Sequence, residues 1–260
     1  MSRGRVRFLG TGTSHGVPMI GCQCAVCRST DPRDRRTRPS IHVTVENGPA
    51  ILVDTSTDLR QQALDHGITR VDAVLFTHSH ADHVMGMDDM RRFNGLQGGA
   101  IPAYADEHTA SEITRIFEYV FSPPDEKGGG IPQITLTTID GPFDVNGVRI
   151  TPVPVLHGRR PILGFRLGRF AYLTDCSTIP EQSWPLLADL DVLVLDALRH
   201  RPHPTHFNVS QALEVIERLR PRQAWLTHVC HDLPHAETNR TLPPGVALAY
   251  DGLLLDVSLD

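Results

Sequence analysis

Apolar residues fall along this chain in short runs separated by turn-forming residues. Residues 6–9, 41–45, 50–53 and 71–76 each read as a strand, the last of them (Val71-Asp72-Ala73-Val74-Leu75-Phe76) as a buried one. Residues 101–104 add a short strand, 148–156 alternate apolar positions, and 162–167 with 170–173 read as a hairpin. Runs at 192–195, 224–226, 247–250 and 253–257 complete the strands. Helical spacing is rarer. Residues 59–66 suit a short helix stopped by Gly67, 84–87 start another, and 110–121 and 209–219 keep a helical period. Pro123-Pro124 and Gly128-Gly129-Gly130 bracket the most loop-like stretch.

A short apolar strand is repeatedly succeeded by a histidine or an aspartate: Asp54, His78, His157, Asp175, Asp196 and His228. Strand ends gathered on one edge of packed sheets hold side chains on rigid elements, which suits metal ligands. Two sheets with helices outside satisfy the pattern. A doubly wound parallel sheet fits worse, because many connections are too short for helical crossovers. The expectation is an α+β fold of two packed mixed sheets flanked by helices, formed as one domain by residues 1–260, with a metal-binding loop at about 21–28.

Length and composition narrow the class. At 260 residues the chain buries a generous core without disulfide staples, and 40% hydrophobic with 21% charged residues is ordinary for a soluble protein. A formal charge of −5 argues against a broad nucleic-acid-binding face. The N-terminus lacks the apolar stretch of a signal peptide and no apolar run could span a bilayer, so a cytoplasmic protein without a membrane partner is expected. In that compartment the five cysteines read as ligands or buried thiols.

Thr77-His78-Ser79-His80-Ala81-Asp82-His83 carries the strongest chemical signal. His78, His80, Asp82 and His83 come directly after the strand at 71–76. Imidazole and carboxylate suit zinc, iron and manganese, and four such groups exceed the three protein ligands of a one-metal catalytic site, so two divalent ions are expected. A solvated histidine-rich turn is the alternative; the apolar residues on both sides count against it. Cys22-x-Cys24-x-x-Cys27 suits tetrahedral zinc and lacks a fourth ligand, for which Cys230 and His231 compete. If that segment stays extended, the two point to opposite faces. Three reduced surface thiols without zinc are the alternative there.

Residues 77–83 match an H-x-H-x-D-H signature, and the whole chain resembles the metallo-β-lactamase fold superfamily, an αββα sandwich. The resemblance implies that His78, His80 and His157 bind one metal, that Asp82, His83 and His228 bind the other, and that Asp175 bridges them. Gly10-Thr11-Gly12, Gly16-Val17-Pro18 and the segment Gly21-Cys22-Gln23-Cys24-Ala25-Val26-Cys27 are most similar to the cyclic phosphodiesterases of the C–P lyase pathway, which act on a phosphoribosyl cyclic phosphate. That family has a histidine in the place of His231, which implies Cys22, Cys24, Cys27 and His231 as a structural zinc site. It has another in the place of His206, over the phosphate, which implies a general acid or phosphate stabiliser. The cysteine cluster and Asp58-Leu59-Arg60-Gln61-Gln62 are also similar to the pyrroloquinoline quinone biosynthesis family. The tRNA 3′-processing endonucleases share the metal motif, but their long arm has no clear counterpart here.

Two neighbouring cations can share a water, supply a bridging hydroxide at neutral pH and neutralise phosphoryl oxygens. Asp82 could orient or deprotonate that water. Asp54 and Asp196 read as carboxylates bracing metal-binding histidines. Arg199, His200, Arg201 and His203 read as loop residues, and Cys176 as a buried small hydrophobe. His15 sits in a glycine-rich turn without an assigned role, and His42, His66, His108 and His235 read as surface or packing residues. The expected function is a dinuclear metal-dependent phosphodiesterase, using zinc, manganese or iron, that cleaves small phosphodiesters, cyclic ones included. A quinone-biosynthesis-like metalloprotein of the same fold and a non-catalytic metabolite-binding protein are the alternatives. The expected partner is a small molecule rather than nucleic acid, and a homodimer is the default assembly.

Overall fold

The computed structural model describes residues 3–122 and 130–260. Residues 123–124 and 128–129 of the loop-like stretch lie outside them. The first half of the chain supplies β1 (Arg3–Gly10), β2 (Ser40–Val45), β3 (Ala50–Val53), β4 (Ala73–Leu75), β5 (Ile101–Ala105) and β6 (Ile134–Thr138). The second supplies β7 (Phe143–Val145), β8 (Val148–His157), β9 (Arg160–Leu167), β10 (Phe170–Leu173), β11 (Val192–Asp196), β12 (Gln223–Thr227), β13 (Val246–Leu248) and β14 (Leu254–Ser258). Among the described residues they form two seven-stranded sheets, ordered β14-β1-β2-β3-β4-β5-β6 and β13-β12-β11-β10-β9-β8-β7. Both are mixed: β3 to β6 and β10 to β13 run parallel, and the other pairs are antiparallel. This is the expected pair of mixed sheets flanked by helices.

The burial pattern explains why several strands are apolar without alternation. Ile51, Val53, Ala73 and Leu75 point between the sheets, where they meet Phe165, Tyr172 and Val194 of the second sheet. Their neighbours Leu52, Val74 and Phe76 point the other way, into an outer layer with Leu59, Met90, Phe93 and Ile113. Those four residues belong to α1 (Leu59–His66), α3 (Met90–Gln97) and α4 (Glu107–Ile116), with the short α2 (Ala81–Val84) lying between α1 and α3 in the chain. On the second sheet Leu193 and Leu195 face Val209, Ala212 and Val215 of α6 (Val209–Leu219). Strands covered on both faces need no polar positions. Asn208 and Gln211 close a capping box at the start of α6, which fixes where the preceding loop ends.

Some elements differ from the sequence reading. The helix expected at 110–121 starts earlier, at Glu107, where Asp106 caps it by accepting from the Thr109 N–H. It breaks at Phe117 (φ −110°, ψ 43°) before a separate turn, α5 (Glu118–Phe121). β13 ends two residues sooner than expected, ahead of a turn in which Asp251 accepts from Thr11 and Thr37. The half-exposed β6, the three-residue β7 and the polar helix α7 (His235–Thr241) lack the apolar signal on which the reading relied. Among the described residues no helix is long and apolar enough to cross a membrane.

Candidate active site

Parallel neighbours end at the same edge of a sheet, so the loops leaving β3 and β4 start at one place, as do those leaving β10, β11 and β12. Asp54 comes directly after β3, His78 and His80 come after β4, and Asp82 and His83 lie in α2, the single helical turn entered at His80. His157 ends β8, Asp175 comes after β10, Asp196 ends β11 and His228 comes after β12. Gly86, just beyond α2, lets that turn sit against the loop after β3: a Cβ there would lie 2.0 Å from the Ser56 carbonyl oxygen. Asp54, Asp175 and His228 all adopt left-handed backbone, at φ 62°, 54° and 58°. Non-glycine residues held there carry strain, which persists where the surroundings over-determine it, as at functional sites.

Seven side chains gather in two groups. One atom each of His78, His80 and His157 lie within 4.8 Å of one another, as do one atom each of Asp82, His83, Asp175 and His228. Asp54 is fully buried beneath them. It accepts the backbone N–H and hydroxyl of Thr77, both at 2.8 Å, and Nδ1–H of His83 at 2.7 Å. His83 therefore turns its Nε2 inward, 3.4 Å from Asp82 and 3.2 Å from Asp175. Nδ1 of His228 lies 3.1 Å from the same Asp175 oxygen. Both of these imidazole nitrogens are buried without a hydrogen-bond partner among the described residues.

A bare nitrogen lone pair facing buried carboxylates is repulsive unless a proton or a cation stands between them. Burial opposes charge on His83, yet Asp175, Asp82 and Asp54 outweigh it and hold its proton affinity well above the usual histidine value. Burial takes His78 well below that value and His228 down to about 3. Neutral imidazoles, close carboxylates and orphaned nitrogens suit divalent cations. The residues present fit such ions.

His157 donates Nδ1–H to the Thr205 carbonyl at 2.8 Å, which leaves its Nε2 for the cluster. His206 donates Nδ1–H to Asp196 at 2.8 Å; its ring stacks on His228 and meets His157 edge-on, both at 4.7 Å between centroids. Burial pushes Asp196 up to about 7 against the pull of His206. Asp196 thus braces His206, whereas the sequence reading had it bracing a metal-binding histidine. His203 lies 5.1 Å from the His206 ring, His200 and His15 are exposed, and Arg201 pairs with Asp232 at 2.9 Å.

At the other cluster, the sulfurs of Cys22, Cys24 and Cys27 lie 3.3, 3.5 and 3.5 Å from Nδ1 of His231. Tetrahedral zinc would hold sulfur and nitrogen roughly 3.6 Å apart, so the four fit it. Cys230 instead accepts the Asp232 N–H at 3.3 Å and stands outside the group. The Cys27 N–H donated to Cys24 draws that thiol down to about 7, toward the thiolate a metal needs. Replacing Cys24 by serine is expected to remove one zinc per chain and lower the melting midpoint by about 10 °C. Unchanged zinc content and melting would count against the site.

The sequence reading missed the hydroxyls and carbonyls that orient the histidines. Thr77 and Thr205 belong to them, and so does Thr174, whose hydroxyl donates to Asp175 at 2.7 Å. It also missed Arg160, which faces His157 across the two-residue turn opened by Gly158 (φ 64°). That turn was the available signal.

Comparison with known proteins agrees with this geometry. Residues 50–229 match the model of the β-lactamase superfamily domain. A crystal structure described as a new diphosphatase from the PhnP family superposes with a TM-score of 0.93 at 45% identity, over 100% of this chain and 99% of that one. Zinc-bound PqqB from Methylobacterium extorquens superposes at 0.79 with 20% identity, over 97% and 100%, a likeness of fold. A curated protein from Porphyromonas gingivalis named octanoyltransferase is 39% identical over 96% of this chain, which spans only 51% of that protein.

Proposed function

The chain belongs to the β-lactamase superfamily, and from that premise we propose that it is a phosphodiesterase cleaving small phosphodiesters, cyclic ones included. It is a hydrolase of the metallo-β-lactamase fold whose His and Asp groups are arranged for metal. The observation that carries the finer reading is the bare edge of His206 beside both ligand groups, held by a buried Asp196. A single braced imidazole over a cation site suits a reaction in which an anionic centre needs charge and a leaving oxygen needs a proton. The likeness to the PhnP-family diphosphatase supports phosphate chemistry as well.

His78, His80 and His157 would hold one ion and Asp82, His83 and His228 a second, with Asp175 between them. Bound there, zinc, manganese or iron supplies Lewis acidity toward phosphoryl oxygens and lowers the pKa of a water. The remaining work falls to the chain. Asp54 fixes the orientation of His83, and the Thr205 carbonyl fixes that of His157. Asp82 orients the attacking water and accepts its proton. Asp196 keeps the proton of His206 on Nδ1 when the ring is neutral; the imidazolium also carries one on Nε2, which is delivered to the leaving alkoxide.

Cys22, Cys24, Cys27, His231 and one zinc would form a separate structural unit that ties the loop at about 21–28 to the segment after β12. Residues 1–260 would act as one catalytic domain. Its acidic balance suits a small-molecule substrate better than nucleic acid, its thiols suit the cytoplasm, and a homodimer is the default assembly. Octanoyl transfer is named for a protein of which this chain spans about half, and it forms no part of the proposal. Bis(p-nitrophenyl) phosphate is the direct probe. We expect turnover that chelation abolishes and a divalent metal restores; no turnover in the metal-loaded protein would defeat the phosphodiesterase reading.

A further inference from the structure

Several half-buried or buried arginines have close partners, whereas Arg160 has no ion pair among the described residues. Arg36 pairs with Asp34 and donates to two carbonyls, Arg38 pairs with Asp58, and Arg166 donates to two carbonyls. Arg160 is half-buried, and among the described residues its one hydrogen bond runs from Nη2 to the Ser79 hydroxyl at 2.7 Å. Its Nε is buried without any acceptor. No carboxylate lies in ion-pair contact with it among the described residues. A half-buried guanidinium with a buried unsatisfied donor and no carboxylate in contact is unfavourable, and an anion from outside would satisfy both needs.

Its position says which anion. Ser79 sits between His78 and His80, and Arg160 lies across the hairpin turn from His157. The guanidinium charge bears on His80 and on Glu112 of α4. His206 lies elsewhere around the cluster, against His157 and His228. His157 adjoins both His206 and Arg160, so a phosphodiester under His206 would reach Arg160 only through an alcohol substituent that passes His157. A planar guanidinium fork matches phosphate or carboxylate in geometry and charge.

We propose that Arg160 binds a second anionic group of the substrate, a phosphate or carboxylate carried on an alcohol part of the diester. The proposal rests on the phosphodiesterase reading. It makes Arg160 a specificity residue, whose effect is a preference between substrates.

The test compares matched probes. Thymidine 3′-phosphate 5′-(p-nitrophenyl phosphate) carries a second phosphate that thymidine 5′-(p-nitrophenyl phosphate) lacks; carboxymethyl and ethyl p-nitrophenyl phosphate form the equivalent carboxylate pair. The wild-type protein should prefer the doubly anionic member of at least one pair by about tenfold to a hundredfold in kcat/KM, chiefly through KM. Whichever pair shows the preference identifies the anion. Arg160→Ala should bring that ratio close to one, and Arg160→Lys should restore part of it. Metal content and melting midpoint confirm that each variant is folded and loaded. A ratio that survives in Arg160→Ala, or that never exceeds one in the wild type, overturns the proposal. Failure of the metal-loaded wild type to cleave any of the four probes would instead defeat the phosphodiesterase reading beneath it.

Discussion

Asp175→Asn is expected to lower turnover by about a thousandfold and to weaken metal binding in both halves of the site. One oxygen of Asp175 lies 3.2 Å from His83 and 3.1 Å from His228, and the same oxygen accepts the Thr174 hydroxyl at 2.7 Å. Its carboxylate also comes close to His157 of the other set, so it can serve both. Burial opposes its charge, but His228 and His83 outweigh burial and hold its pKa well below the ordinary carboxylate value. Asparagine matches its size and tolerates the left-handed backbone at φ 54°, so the change removes charge with little disturbance of the chain. Losing charge stabilisation of about 4 kcal/mol corresponds to a factor of about a thousand. Metal titration and kcat on bis(p-nitrophenyl) phosphate would check this, and near-normal values of both would exclude a shared ion site around Asp175.

His206→Ala is expected to leave the metals in place and slow cleavage of an alkyl phosphodiester by about a hundredfold to ten-thousandfold. The loss should be smaller on p-nitrophenyl esters, whose leaving group departs without a proton. That contrast separates proton donation from a structural role, because a loosened fold would slow both substrates alike. Asp196 and the stacked His228 ring already fix the orientation of His206, so removing it leaves their geometry largely intact. One atom each of His206, His157 and Asp175 also lie within 4.8 Å of one another. Loss of an ion on His206→Ala would therefore reassign it as a metal ligand.

Much of the architecture was legible because the strands of this chain, and the His and Asp residues at their ends, stand out from their surroundings. The runs at 50–53 and 170–173 coincide with β3 and β10, since apolar residues facing both the inter-sheet core and an outer helix leave little ambiguity. α6 was equally clear, with an apolar stripe over one face and Asn208 ahead of it. α7 was invisible because His-Ala-Glu-Thr-Asn-Arg-Thr has no apolar period; its buried residues are His235 and Thr238. At the site, the closely spaced 77–83 motif could be read directly, whereas the role of each residue depends on partners far along the chain. Thr205 orients His157 from 48 residues away, and Asp54 holds His83 from 29. Spacing along a sequence carries no information about such pairs. The left-handed turns that aim Asp54, Asp175 and His228 are likewise set by the packed strand ends.

The most direct test is the metal content of the purified wild-type chain, monitored while a chelator removes ions and bis(p-nitrophenyl) phosphate turnover is recorded on the same sample. The account predicts three ions per chain, with turnover disappearing as the two at the histidine–aspartate cluster leave and returning when they are restored. Fewer than two ions at that cluster, or turnover that persists once they are gone, would contradict it.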